Sequence, residues 1–85
     1  MSEVTGELKQ AMDEEITERS NKALREISSY CAKRGIAQDV KIGTVHDAFT
    51  LSISESIGTE DKAVLIQLVE EAERDVMRIM EMYQI

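Results

Sequence analysis

The chain has no tryptophan, and Tyr30, Phe49 and Tyr83 are its only aromatic residues. A core must therefore be assembled from Leu, Ile, Val, Met and Ala. Its one cysteine, Cys31, cannot close an internal disulfide. That excludes a disulfide-stapled scaffold and makes a reducing compartment the expectation. No apolar run approaches the roughly 20 residues that a membrane-spanning helix needs. The opening segment MSEVTGELKQ has neither the basic nor the apolar stretch of a secretory signal. A cytoplasmic location is the resulting expectation. Chemistry-bearing patterns are lacking as well. Gly35, Gly43 and Gly58 form no phosphate-binding loop, and neither a Gly-x-Ser-x-Gly nor a Gly-Lys-Ser/Thr sequence occurs.

What remains is an acidic chain able to fold. Eighty-five residues make one domain, 1–85, and a short chain buries only a modest share of its surface. The hydrophobic content of 42% is that of a folded protein rather than a disordered one. The net charge is −7, which disfavours direct nucleic-acid binding, because such affinity comes mainly from neutralising phosphates. The charge is unevenly placed. Residues 1–18 are strongly acidic, with Lys9 their only base, whereas Arg19, Lys22, Arg25, Lys33 and Arg34 make 19–34 basic. Residues 35–62 and 63–85 return to net negative charge.

Hydrophobic spacing predicts a first helix over about residues 5–34. Val4, Leu8, Met12, Ile16, Ala23, Leu24, Ile27 and Cys31 recur at helical intervals, with Ala11 and Ser20 filling the stripe. Lys33 and Arg34 suit the negative end of the helix dipole. Gly35 can take the left-handed conformation, and Ile36 can fold back toward Cys31. The period then changes to two. Val40, Ile42 and Thr44, followed by Phe49, Leu51 and Ile53, alternate with other residues across His46-Asp47-Ala48, which predicts a hairpin over about 39–54. Thr59 is the expected cap of a second helix over about 59–83, with Glu60 and Asp61 in its dipole-favoured first turn. Leu65, Val69, Ala72, Val76, Ile79 and Tyr83 follow alternating spacings of four and three, the seam of a packed helix. Ile66, Leu68 and Met80 broaden it. The fold class is α+β, in the order α-β-β-α.

A first helix of that length overhangs a compact 85-residue globule, whose radius of gyration would be roughly 12 Å. A lone hairpin also leaves strand edges unpaired. An intertwined homodimer, joined through strands or helices, answers both problems. Leu65, Val69, Ala72, Val76, Ile79, Tyr83, Phe49, Leu51 and Ile53 would supply its core and dimer contacts. The simpler alternative is a monomer whose first helix breaks near Ser20-Asn21.

No residue set points to catalysis, a metal or a cofactor. His46 stands beside Asp47, but there is no second histidine, and Cys31 lies at no zinc-ligand spacing. Cys31 reads as a core residue on the apolar stripe. Asp13, Glu14, Glu15 and Glu18 lack the glycine and alternating ligands of a calcium loop. Glu70, Glu71, Glu73 and Asp75 form a second acidic set, with Arg74 and Arg78 placed to pair along the helix. Met77, Met80 and Met82 read as packing residues.

From Val40 to Glu81 the chain resembles the YbaB family of small nucleoid-associated proteins. The resemblance is carried by the VKI strand, a short return strand and the helix TEDKAVLIQLVEEAERDVMRIME. It implies a helix, a β-meander and a second helix, paired into a DNA-binding dimer. It covers about half of the chain, no third strand is evident, and no functional residue is carried over from it. By composition the chain also resembles small acidic phage-encoded host-takeover proteins, which would place it in the host cytoplasm.

Three functions are then open. The preferred one is a dimeric, non-enzymatic inhibitor that presents Asp13, Glu14, Glu15, Glu18, Glu70, Glu71, Glu73 and Asp75 to a basic nucleic-acid-binding protein. Carboxylates spaced along rigid helices can occupy a site built for phosphates, and opposite charge steers the encounter. The alternatives are a nucleoid-type DNA-binding dimer using the five basic residues of 19–34, and a structural or adaptor dimer.

Overall fold

A computed structural model describes residues 2–45 and 48–84. Its order is α1 (Ser2–Arg34), a 3₁₀ turn (Ala37–Asp39), β1 (Val40–Val45), β2 (Ala48–Ile53) and α2 (Thr59–Met82). This is the α-β-β-α arrangement expected from periodicity. Helix α1 begins three residues earlier than predicted and runs without a break through Ser20 and Asn21. Ser20 is buried, so the polar pair that could have broken the helix sits partly inside the packed stripe.

The end of α1 forms as its sequence requires. Gly35 has φ 71°. Its N–H donates to the Ala32 carbonyl, and the Ile36 N–H donates to the Cys31 carbonyl at 2.9 Å. These bonds satisfy carbonyls that the helix leaves open, and they fold Ile36 onto the core beside Cys31. The start of α2 departs from expectation. Gly58 occupies the cap position, with no side-chain cap bond, and Thr59 is already helical. The Gly58 carbonyl instead accepts the Lys62 N–H. Asp61, expected merely to favour the dipole, is drawn into the interior.

The strands pair antiparallel from Val40↔Ile53 to Val45↔Ala48, so Ala48 belongs to β2 rather than to the turn. His46 and Asp47 lie outside the described residues. Among the described residues the sheet has two strands only. Val40, Ile42, Phe49, Leu51 and Ile53 share one face, and all are half-buried against a core of Ile27, Cys31, Leu65 and Val69. Helix α1 lies against β1 and α2 against β2.

The helices run antiparallel, as three cross-links show: Tyr30 and Arg34 meet Asp61, Arg19 meets Asp75, and Glu15 meets Tyr83. Ile16, Ala23, Ile27 and Cys31 of α1 are buried, as are Leu65, Val69, Ala72 and Val76 of α2. Ile27 and Leu65 are the largest fully enclosed side chains. Because Glu15 already sits opposite Tyr83, the α1 residues before about Ala11 run past the end of α2. Gly6 through Gln10 are exposed there. The molecule is accordingly a rod of 53 × 17 × 17 Å, and its radius of gyration of 15.3 Å exceeds the roughly 12 Å of a compact chain. Among the described residues, no helix is long and apolar enough to cross a membrane.

Candidate functional site

Antiparallel packing brings the first acidic segment of the sequence beside the C-terminal end of α2. Among the described residues, this end of the rod carries Glu7, Asp13, Glu14, Glu15, Glu18 and Glu81 against only Lys9 and Arg78. Among the described residues the hairpin end is balanced, with Asp39, Glu55, Glu60 and Asp61 against Lys33, Arg34, Lys41 and Lys62. The net negative charge is thus concentrated at the end away from the strands.

Asp13, Glu14 and Glu18 are exposed on α1, as are Glu70, Glu71 and Glu73 on α2. Two further acidic candidates are already engaged within the chain. Glu15 accepts the hydroxyl of Tyr83 and is half-buried. Asp75 accepts Arg19 Nε at 2.7 Å and lies 3.6 Å from Arg78 Nη1. Arg78 therefore pairs one turn back at a spacing of three, and the Arg19 guanidinium holds the Asp75 carboxyl below the usual carboxylate range.

Sequence spacing did not reveal a second tie. Asp61 accepts the Tyr30 hydroxyl at 2.6 Å and Arg34 Nε at 3.0 Å. The tyrosine bond and then the arginine hold its carboxyl below 3.8, although desolvation opposes them. The same bond pushes the Tyr30 hydroxyl above 10.0. Both donors are spent on one carboxylate, so the trio clamps the first turn of α2 to the last turn of α1. It presents no activated nucleophile. Residues 30 and 61 are far apart in sequence, and the single available signal was an acid in a first helical turn. Tyr83 is held in the same manner at the other end, its hydroxyl pushed up by the bond to Glu15.

These pairs also dismantle the basic stretch. Of Arg19, Lys22, Arg25, Lys33 and Arg34, the first is drawn between the helices and the last is committed to Asp61. Arg19 Nη1 is buried 3.8 Å from Glu26, without a hydrogen-bond partner among the described residues. Lys22 and Arg25 line a shallow groove with Glu15, Glu18, Arg19 and Ile79, a surface of mixed sign.

The residues expected to build the core divide by depth. Leu65, Val69, Ala72 and Val76 are buried, while Ile79, Tyr83, Phe49, Leu51 and Ile53 are half-buried. Cys31 is enclosed, and burial raises its thiol above 9.0. Among the described residues, no group of three His, Cys, Asp or Glu is arranged to hold a metal ion. Comparison of the chain with protein-family models, curated proteins and solved structures yields no match.

Proposed function

We propose that the protein is a non-enzymatic protein-binding module whose acidic end occupies a basic, nucleic-acid-binding surface on a partner. The observation that carries this reading is the segregation of charge along the rod. Asp13, Glu14 and Glu18 stand exposed on rigid helix at one end, whereas the basic residues that would contact DNA are partly consumed by Asp61 and Asp75. Carboxylates held on a helix keep their spacing without a backbone-ordering cost at the moment of binding.

The same proposal includes a homodimer assembled through the helices. Joining two hairpins edge to edge would place two copies of one helix, α2 at the β2 edge or α1 at the β1 edge, beneath adjacent strands. Strands are spaced 4.7–4.9 Å apart, but packed helices need 8–10 Å. Helix-to-helix association avoids that collision and can cover Leu8 on the overhang of α1. Sedimentation velocity across a range of concentrations reads this directly, and a monomer throughout removes the dimer from the proposal.

To test the charge reading, the immobilised chain is used to capture proteins from a cell lysate, followed by salt titration. Captured proteins should be basic nucleic-acid binders. They should elute as salt rises from about 0.1 to 1 M, where the screening length falls from about 10 to about 3 Å. Capture should fail with Asp13→Lys, Glu14→Lys and Glu18→Lys combined. Salt-insensitive binding, or retardation of duplex DNA by the chain itself, overturns the reading.

A further inference from the structure

We infer that the free edge of β2 receives an extended segment of the partner protein, added to the hairpin as a third strand; this rests on the protein-binding reading above and names how a partner is gripped. The Ser54 N–H donates to the Asp39 carbonyl at 2.9 Å. Antiparallel pairs alternate between mutually bonded and unbonded. With the observed register, that bond makes 41/52, 43/50 and 45/48 the bonded pairs. The N–H and C=O groups of Phe49, Leu51 and Ile53 therefore point away from β1, into the open edge.

Natural edge strands are guarded by charge, proline or a bulge. The β2 sequence AFTLSI has no charge, no proline and no glycine, and its register with β1 is continuous. The β1 edge, by contrast, carries Lys41 and Gly43. Beyond β2 the outer flank of α2 also has no strand over it among the described residues. A pair of helices spaced 8–10 Å apart underlies about twice the width of two strands spaced 4.7–4.9 Å apart. Helix α2, on the β2 side, exposes Ile66 and Met77 on the flank opposite Asp75, the residue bonded to α1.

That flank defines the occupant. Glu70 and Glu73 are exposed between Ile66 and Met77 on the same side of α2. A fitting segment is extended, with apolar side chains at alternate positions on its face toward α2 to cover Ile66 beside Phe49 and Leu51, and with a lysine or arginine following them on that same face to meet Glu70 and Glu73. Such strand addition takes its affinity from main-chain bonds and its selectivity from alternate side chains. A second copy of the chain does not fit, because it would bring its own α2 into the space already held by this one.

The test is amide hydrogen exchange by NMR on the full chain, with a short acetylated peptide of alternating lysine and valine, ending in two lysines so that the last shares the valine face, as probe. Saturation should slow exchange at Phe49, Leu51 and Ile53 by about tenfold or more, and leave Thr50 and Ser52, already bonded to β1, unchanged. A peptide of the same composition with its lysines and valines in separate blocks should give no such protection. Ile66→Lys, at a position 47% exposed and so tolerated by the fold, should abolish it. Equal protection by the blocked peptide overturns the inference, as does protection that grows with protein concentration without peptide. The Asp13, Glu14 and Glu18 reversals lie at the far end and should leave the protection intact. The acidic-end reading and the strand reading therefore fail separately.

Discussion

Leu65 and Ile66 are neighbours of similar size and chemistry, and the fold treats them oppositely. Leu65 is fully enclosed between α1 and the hairpin, whereas Ile66 is 47% exposed. Truncating an enclosed leucine removes its transfer free energy and leaves a cavity, costing about 2–5 kcal/mol. In this rod the surrounding shell is thin, since the hairpin residues over the core are themselves half-buried. Partial collapse places Leu65→Ala near the middle of that range, about 3 kcal/mol. Truncating Ile66 removes side chain that is half in water already, and should cost under about 1 kcal/mol. Total stability for a domain of this size is about 4–13 kcal/mol, so the first change consumes a large part of it. Each 1 kcal/mol shifts Tm by about 4–8 °C, so Leu65→Ala should lower Tm by roughly 12–24 °C, and Ile66→Ala by under about 8 °C. Far-UV circular dichroism during urea and thermal denaturation, with all chains at one concentration, measures both. Equal losses for the two variants, or a loss under 1 kcal/mol for Leu65→Ala, would refute the assigned core.

Two further tests follow from the buried groups. The carboxyls of Asp61 and Asp75 both titrate below 3.8 in the folded chain. A depressed folded value gives stability that is present above the unfolded value and lost as pH falls through the folded one. Tm should therefore hold from neutrality to about pH 4 and fall below it, and Tyr30→Phe should shrink that acid-side fall; an unchanged acid profile in Tyr30→Phe contradicts the clamp. Cys31 is enclosed and its thiol is raised, so a thiol reagent should modify it only after opening of the helix pair. When reclosing is faster than modification, Leu65→Ala should accelerate labelling by about the factor by which it raises the unfolded population. Rapid labelling of the native chain contradicts the enclosed placement.

The sequence by itself determined the elements, because each rests on local chemistry. Spacings of three and four give the helices, alternation gives the strands, and Gly35 with Ile36 gives the stop of α1. Residues 40–53 show the limit of that local reading. Alternation correctly put Val40, Ile42, Phe49, Leu51 and Ile53 on one face, but not that all five would stay only half-buried against Ile27, Cys31, Leu65 and Val69. Thr59 looked like a cap because its side chain could cap, yet the cap falls one residue earlier, at Gly58, where no side chain exists. Only the tertiary structure decided which charges meet. Whether Arg19 is a free cation or the partner of Asp75 depends on the antiparallel register of two helices, and periodicity carries no information about register. The same register gathers Asp13, Glu14 and Glu18 with Glu81 at one end. It also takes Asp61 from the helix surface into the bonds with Tyr30 and Arg34. Charge is written residue by residue in the chain, but its direction in space is a property of packing.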